Sequence, residues 1–159
     1  MDICGGFFIL TNEITMTHLE LVYIFILMIF FHIVDDFVLQ TACLNKLKQK
    51  ELWQEVCGEN FSKYKNDYKV ALFIHALSWS ISIILPFIIF NVKTSSTLLI
   101  TIIVFNTIIH ASIDHLKANK KETTLVADQI IHFLQIFLTF VAVGPLGMDI
   151  ASGKLFVPN

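Results

Sequence analysis

Three times along this chain a histidine and an aspartate stand four residues apart: His32 with Asp36, His110 with Asp114, and Asp128 with His132. On a helix that spacing puts both members of a pair on one face. Gln40 extends the first pair by a further turn, and His75 lies alone in another apolar stretch. Imidazoles and carboxylates brought together are a natural ligand set for Zn²⁺, with Fe²⁺ or Mn²⁺ as alternatives. The same groups without a metal would make a hydrogen-bonded network or a proton relay. All of them fall within or at the ends of long apolar runs, where an Asp at the helix centre costs about 2.5–3.5 kcal/mol on insertion scales. A bound cation would offset that cost for several carboxylates at once.

The elements that must position these residues are membrane-spanning helices. Of the 159 residues, 55% are hydrophobic and 15% charged, and the mean hydropathy is +0.71. A soluble domain usually carries about a quarter charged residues. Four runs, at about 17–40, 70–90, 96–116 and 125–148, reach the roughly 20 residues needed to cross a bilayer. Lipid requires backbone groups to pair within each segment, so the expected class is all-α: a polytopic membrane protein of four helices forming a single domain over 1–159. Gly144-Pro145 should bend or fray the last of them.

Residues 41–69 are polar, with Leu44, Leu47, Leu52, Trp53, Val56, Phe61, Tyr64 and Tyr68 mostly three to five apart and lysines between them. This reads as one or two amphipathic helices along the membrane surface, broken at Gly58, serving as a connector or a lid. All eleven basic residues are lysines, and nine lie in the first and third connections. The positive-inside rule makes those connections cytoplasmic and both termini extracytoplasmic.

With that topology the first and third helices carry their polar residues near their C-terminal ends, and the second and fourth near their N-terminal ends. At 1.5 Å per residue, all of these groups lie within roughly 12 Å of one membrane face. The order reverses from His-then-Asp to Asp-then-His on the fourth helix, as an antiparallel neighbour requires.

Other residues are weaker candidates. Asp35 points about 100° from Asp36 on an α-helix and reads as a loop-facing or supporting carboxylate. Gln129 is a candidate supporting donor, Trp79 a core residue, Ser78 and Ser82 packing residues, His115 an interfacial histidine, and His18 remote from the cluster. Cys4, Cys43 and Cys57 form no ligand-like spacing. A net charge of −2 argues against a nucleic acid partner. The first sixteen residues do not look like a signal peptide, and Met16 is an alternative start.

The segments His32-Ile-Val-Asp-Asp36-Phe-Val-Leu-Gln40, His110-Ala-Ser-Ile-Asp114 and Asp128-Gln129-Ile-Ile-His132, with His75 between them, resemble a bacterial and phage membrane family catalogued as domain of unknown function 3307. The resemblance covers about 20–145 and implies four spans in a bacterial inner membrane with these polar positions as a shared core. It implies no activity. A looser similarity, to ceramidase and progestin-receptor-like membrane hydrolases, transfers only the logic of an intramembrane His/Asp zinc site, because those proteins have more spans.

The leading expectation is a membrane-embedded, metal-dependent hydrolase. The expected ligands come from His32, Asp36, His75, His110, Asp114, Asp128 and His132. A bound metal lowers the pKa of water to about 7, and an unliganded Asp36 or Asp128 would be the general base. Gln40 would orient water or substrate, and a lipid or lipid-linked ester, amide or phosphoester would reach the site laterally. A proton or divalent-ion transporter, which a homo-oligomer could build, and a non-enzymatic membrane effector are the rivals.

Overall fold

The computed structural model describes residues 16–147; Cys4, the residues before Met16, Met148 and Lys154 lie outside the described residues. The protein is all-α, with four helices long and apolar enough to cross a membrane. Helix α1 (His18–Ile33) continues as a π-helical stretch, Val34–Leu39. Three short helices follow: α2 (Ala42–Leu47), α3 (Lys50–Cys57) and α4 (Phe61–Tyr64). Helix α5 (Asp67–Ile89) crosses back, and α6 (Ser96–His115) returns and ends in a second π-helical stretch, Leu116–Lys120. Helix α7 (Leu125–Val143) completes the set.

Local chemistry sets the ends. Thr17 and Glu20 form a reciprocal capping box on α1, satisfying backbone N–H groups that have no partner within the helix. Thr41 and Thr124 cap α2 and α7 through their hydroxyls. The six-residue turn from α5 to α6 carries Asn91 at φ 51°, and Lys121 at φ 58° ends the third span. Such single left-handed residues commonly terminate helices. Connections this short make neighbouring spans antiparallel.

Outward faces are apolar. Leu19, Ile26, Phe30, Phe73, Ile88, Ile100, Phe105, Ile108, Ile130 and Phe137 are all largely exposed, which is the arrangement lipid favours. Inside, Ile24 and Met28 of α1 meet Trp79, Ile83, Ile84 and Phe87 of α5 and Ile136 and Val143 of α7 in a buried apolar core. Buried hydroxyls and amides tie the helices together: Thr107 donates to Ser80 at 3.1 Å, and Asn106 donates to Thr139 at 2.7 Å. The apolar core lies toward one end of the bundle, and the polar residues fill the end that bears the connector.

The connector is amphipathic and breaks at Gly58 as expected, but it forms three short helices rather than one or two, with a further break at Lys48-Gln49. Gly58 adopts φ 49° and ψ −122°, a conformation available to glycine, while nothing lies within 4 Å of where a Cβ would be. A Gly58→Ala change should therefore act through the backbone alone. We expect a loss of about 1–2 kcal/mol in local stability of the connector, read as faster amide exchange across α3 and α4 with the spans unaffected.

Candidate metal centre

The π-helical stretch at the end of α1 decides how the site is built. A π-turn closes at residue i+5, and the Gln40 N–H donates to the Asp35 carbonyl at 3.0 Å. The wider turn brings both Asp35 and Asp36 inward, where an α-helix would separate them by about 100°. Asp35 is 2% exposed, so the loop-facing alternative for this residue is corrected in favour of the supporting one.

Asp36, His75 and His110 form the tightest group. Asp36 Oδ1 lies 3.4 Å from His75 Nε2 and 3.9 Å from His110 Nε2, and the two Nε2 atoms are 3.2 Å apart. Tetrahedral ligands at about 2.0–2.1 Å from a zinc ion sit roughly 3.3 Å from one another, so these three atoms fit three corners of one site. Three protein ligands with a fourth position open is the pattern of catalytic zinc. Asp114 Oδ2 stands beside the group, 3.5 Å from His75 Nε2 and 3.9 Å from His110 Nε2.

A second, looser group joins His110, Asp114 and His132, whose ligand atoms all lie within 4.8 Å of one another. His132 Nε2 is 3.4 Å from Asp128 Oδ1 and 4.0 Å from Asp114 Oδ1. His132 Nε2, Asp128 Oδ1 and Asp36 Oδ1 are buried and have no hydrogen-bond partner. Buried polar atoms are ordinarily satisfied, and a group of this donor chemistry could hold a cation.

Surrounding groups turn the imidazoles toward that role. Gln135 donates its amide to the Asn106 main-chain carbonyl at 3.3 Å, which can only accept. Its oxygen therefore faces His132 Nδ1, 3.3 Å away, fixing the proton on Nδ1 and leaving Nε2 directed at Asp128. Asp35 Oδ2 faces His75 Nδ1 at 3.6 Å, while Ser78 donates to Asp35 Oδ1 at 2.8 Å. A carboxylate behind a histidine orients the ring and raises its basicity toward a metal on the other nitrogen. Asp35→Asn should weaken metal affinity about 10–100-fold with helix content unchanged, measured by competition against a chelating dye.

His32 plays a different part. The Trp79 indole N–H donates to His32 Nδ1 at 2.7 Å, so that nitrogen accepts, and Nε2 donates to the Gln129 oxygen at 3.1 Å. Both ring nitrogens are thereby engaged. Gln129 in turn donates to Asp36 Oδ2 at 3.3 Å and Asp128 Oδ2 at 3.2 Å, holding carboxylates from α1 and α7 in register. Trp79 also floors the site: its ring stacks on His110 at 4.4 Å, and His110 stacks on His132 at 4.1 Å.

Two lysines complete the electrostatics. Buried Lys48 of the connector donates to Asp114 Oδ2 at 2.6 Å, and Lys117 donates to Asp128 Oδ2 at the same distance. Gln40, with its amide nitrogen on the Asp36 carbonyl at 2.9 Å, accepts from Lys48. Gln40 thus touches both Asp36 and the connector and lines the cavity above the ligands. His18 is exposed and apart from the cluster, whereas His115 is partly buried, stacked on Tyr68 at 5.8 Å.

No family model, curated protein or solved structure matches the chain. His75, His110, Asp36, Asp114, Asp128 and His132 lie in one cluster. Trp79, Lys48, Lys117 and Gln135 complete the site; of these, only Gln135, one turn from His132, carried a readable sequence signal.

Proposed function

We propose that this protein is an integral membrane, metal-dependent hydrolase acting at the cytoplasmic leaflet on a lipid or lipid-linked substrate. The observation that carries the reading is the three-cornered group of Asp36 Oδ1, His75 Nε2 and His110 Nε2 at tetrahedral ligand spacing, beside buried atoms that lack any partner. Zinc suits this nitrogen and oxygen set best, with iron or manganese as alternatives. A divalent ion there would supply a water of lowered pKa and polarise the bond to be cleaved.

The chain's own residues supply the rest. His75 and His110 would hold the ion, with Asp36 as the third ligand. Asp114, beside this group and held by Lys48, would be positioned to accept a proton from water entering the site. Gln40 and Gln129 orient Asp36 and line the approach. His32 acts through Gln129 as a positioning residue. The excess of lysine in the first and third connections supports a cytoplasmic position for the site.

Transport receives less support. A line of uncharged polar groups runs from His132 through Gln135 and Asn106 to Thr139. Beyond it stands the apolar core of Ile24, Ile83, Phe87 and Val143. Those hydrogen bonds fix the His132 tautomer and do not continue as a path.

The test is hydrolysis of a panel of ester, amide and phosphoester lipids by the protein in nanodiscs. Turnover should vanish on chelation, return with zinc, and be absent in His110→Ala. Turnover that survives chelation and this substitution overturns the reading.

A further inference from the structure

The chain between Gln40 and Gly58 bends at both ends. Gln40 leaves the helix at φ −72° and ψ 83°, and Gly58 takes φ 49° and ψ −122°. A few such positions can absorb the rotation when a segment swings. Between them α2 and α3 meet in a corner at Lys48-Gln49 with space on two sides. On one side is a cavity of about 560 Å³, lined by Asp36 and Asp114 of the spans and by Asn45, Lys48 and Gln49 of the corner. On the other, an apolar hollow of about 380 Å³ lies between Leu44, Leu47 and Trp53 of the connector and Val70, Ala71 and Ile74 of α5. Of residues 42–57, only Lys48 is buried. A segment whose one buried side chain is an ammonium is held by that charge rather than by packing.

The bonds that hold it converge on the corner. The Asn119 side chain grips the main chain on both sides of Gln49: its oxygen accepts from the Lys50 N–H at 2.7 Å, and its nitrogen donates to the Lys48 carbonyl at 3.0 Å. Lys121 reaches Glu51 at 3.0 Å, but both are well exposed, and such a pair contributes little. The buried tie is Lys48, which donates to Asp114 Oδ2 at 2.6 Å and to the Gln40 oxygen. Asp114 Oδ2 is also the oxygen 3.5 Å from His75 Nε2 and 3.9 Å from His110 Nε2. A divalent ion held by those nitrogens would share this oxygen with the ammonium. Two cations on one carboxylate oxygen repel each other, most strongly where water is scarce.

Resting on the reading of the site as a metal centre, we propose that the α2–α3 corner is an autoinhibitory lid, latched by Lys48 on Asp114 and unlatched by the metal ion. Without metal the lid is shut, and the Asn119 clamp aims the ammonium into the site. An ion at Asp36, His75 and His110 displaces the ammonium, and the corner swings about Gln40 and Gly58. Opening widens the cavity mouth for substrate and frees Asp114 Oδ2 to accept a proton. By reciprocity, whatever loosens the lid tightens metal binding.

The experiment follows amide hydrogen exchange of the full chain in phosphatidylcholine nanodiscs, metal-stripped and with Zn²⁺, counting bound zinc in the same samples. We expect zinc to quicken exchange across 42–51 about tenfold, within the usual range of coupling between sites. Exchange in α5 and α6 should slow instead, because a ligand stabilises the folded bundle. Opposite signs in the two regions separate an unlatched lid from general loosening or tightening. Asn119→Ala, which touches no ligand, should quicken exchange at the corner without zinc and raise zinc affinity at least about threefold. Lys48→Met should leave the corner equally fast with and without zinc. Bound zinc with unchanged or slower exchange at the corner overturns this inference and leaves the metal reading standing. So does an Asn119→Ala protein whose zinc affinity does not rise, or a Lys48→Met corner that zinc still quickens. No zinc bound under any condition overturns both. The wild-type comparison decides the matter if Lys48→Met does not fold.

Discussion

His110→Ala should remove metal binding more completely than any other single substitution in this protein. His110 belongs to both groups of ligand atoms, is fully buried, and stacks between Trp79 and His132. Alanine takes away a ligand from the tighter group and opens the stack that aligns the others. Loss of a supporting residue behind a ligand typically costs 10–100-fold in affinity, so loss of the ligand itself should exceed about 100-fold. The check is zinc competition against a chelator of known affinity. His32→Ala makes the informative comparison, since His32 has both nitrogens engaged by Trp79 and Gln129. It should weaken binding modestly, through a less well held Asp36.

Lys48→Met should destabilise the metal-free protein sharply and the metal-loaded protein far less. Lys48 and Asp114 are an ion pair at 2.6 Å with side chains only 4% and 7% exposed. Removing one partner of a buried pair leaves the other charge uncompensated, at a cost of about 3–5 kcal/mol. In the double variant Lys48→Met with Asp114→Asn no charge is stranded, and most of the loss should be recovered. Zinc should recover it too, because a cation near Asp114 replaces the ammonium. Unfolding in detergent, followed by helical signal with and without zinc, measures all of these. Equal destabilisation in the presence and absence of zinc would mean that Asp114 is remote from any bound ion.

Much of the site was legible because lipid makes polar residues conspicuous. A His and an Asp one turn apart inside an apolar run have few uses, and the reversed order on the last span places all the pairs at one depth. The connector's lysines and aromatics, and its glycine break, followed from the same contrast. What remained hidden had physical causes. The π-turn at Val34–Leu39 rotates Asp35 into the bundle, and α-helical periodicity assigns that residue the wrong face. Trp79 reads as core because it is apolar in bulk, and only its indole N–H reveals that it occupies a histidine nitrogen. Lys48 lies in an amphipathic segment whose other lysines point outward, so nothing in its neighbourhood distinguishes the one that reaches Asp114.

His32 is the sharpest case. By spacing it is indistinguishable from His110, since each precedes an Asp by four residues. The difference lies in what meets each ring across the helix interface. His32 meets two fixed partners, whereas His110 meets another imidazole nitrogen at 3.2 Å and two carboxylates at 3.9 Å. Helical periodicity gives a residue's face and depth; whether its lone pair is free depends on neighbours from other helices.

The proposed function requires a divalent cation among Asp36, His75 and His110. Elemental mass spectrometry of the protein, purified gently and again after stripping and reconstitution with zinc, tests it most directly. About one equivalent of metal is expected, absent from a folded His110→Ala variant. No metal in the wild-type protein under either condition, or the same amount in the variant, would contradict it, and the buried histidines and aspartates would then be a hydrogen-bonded network.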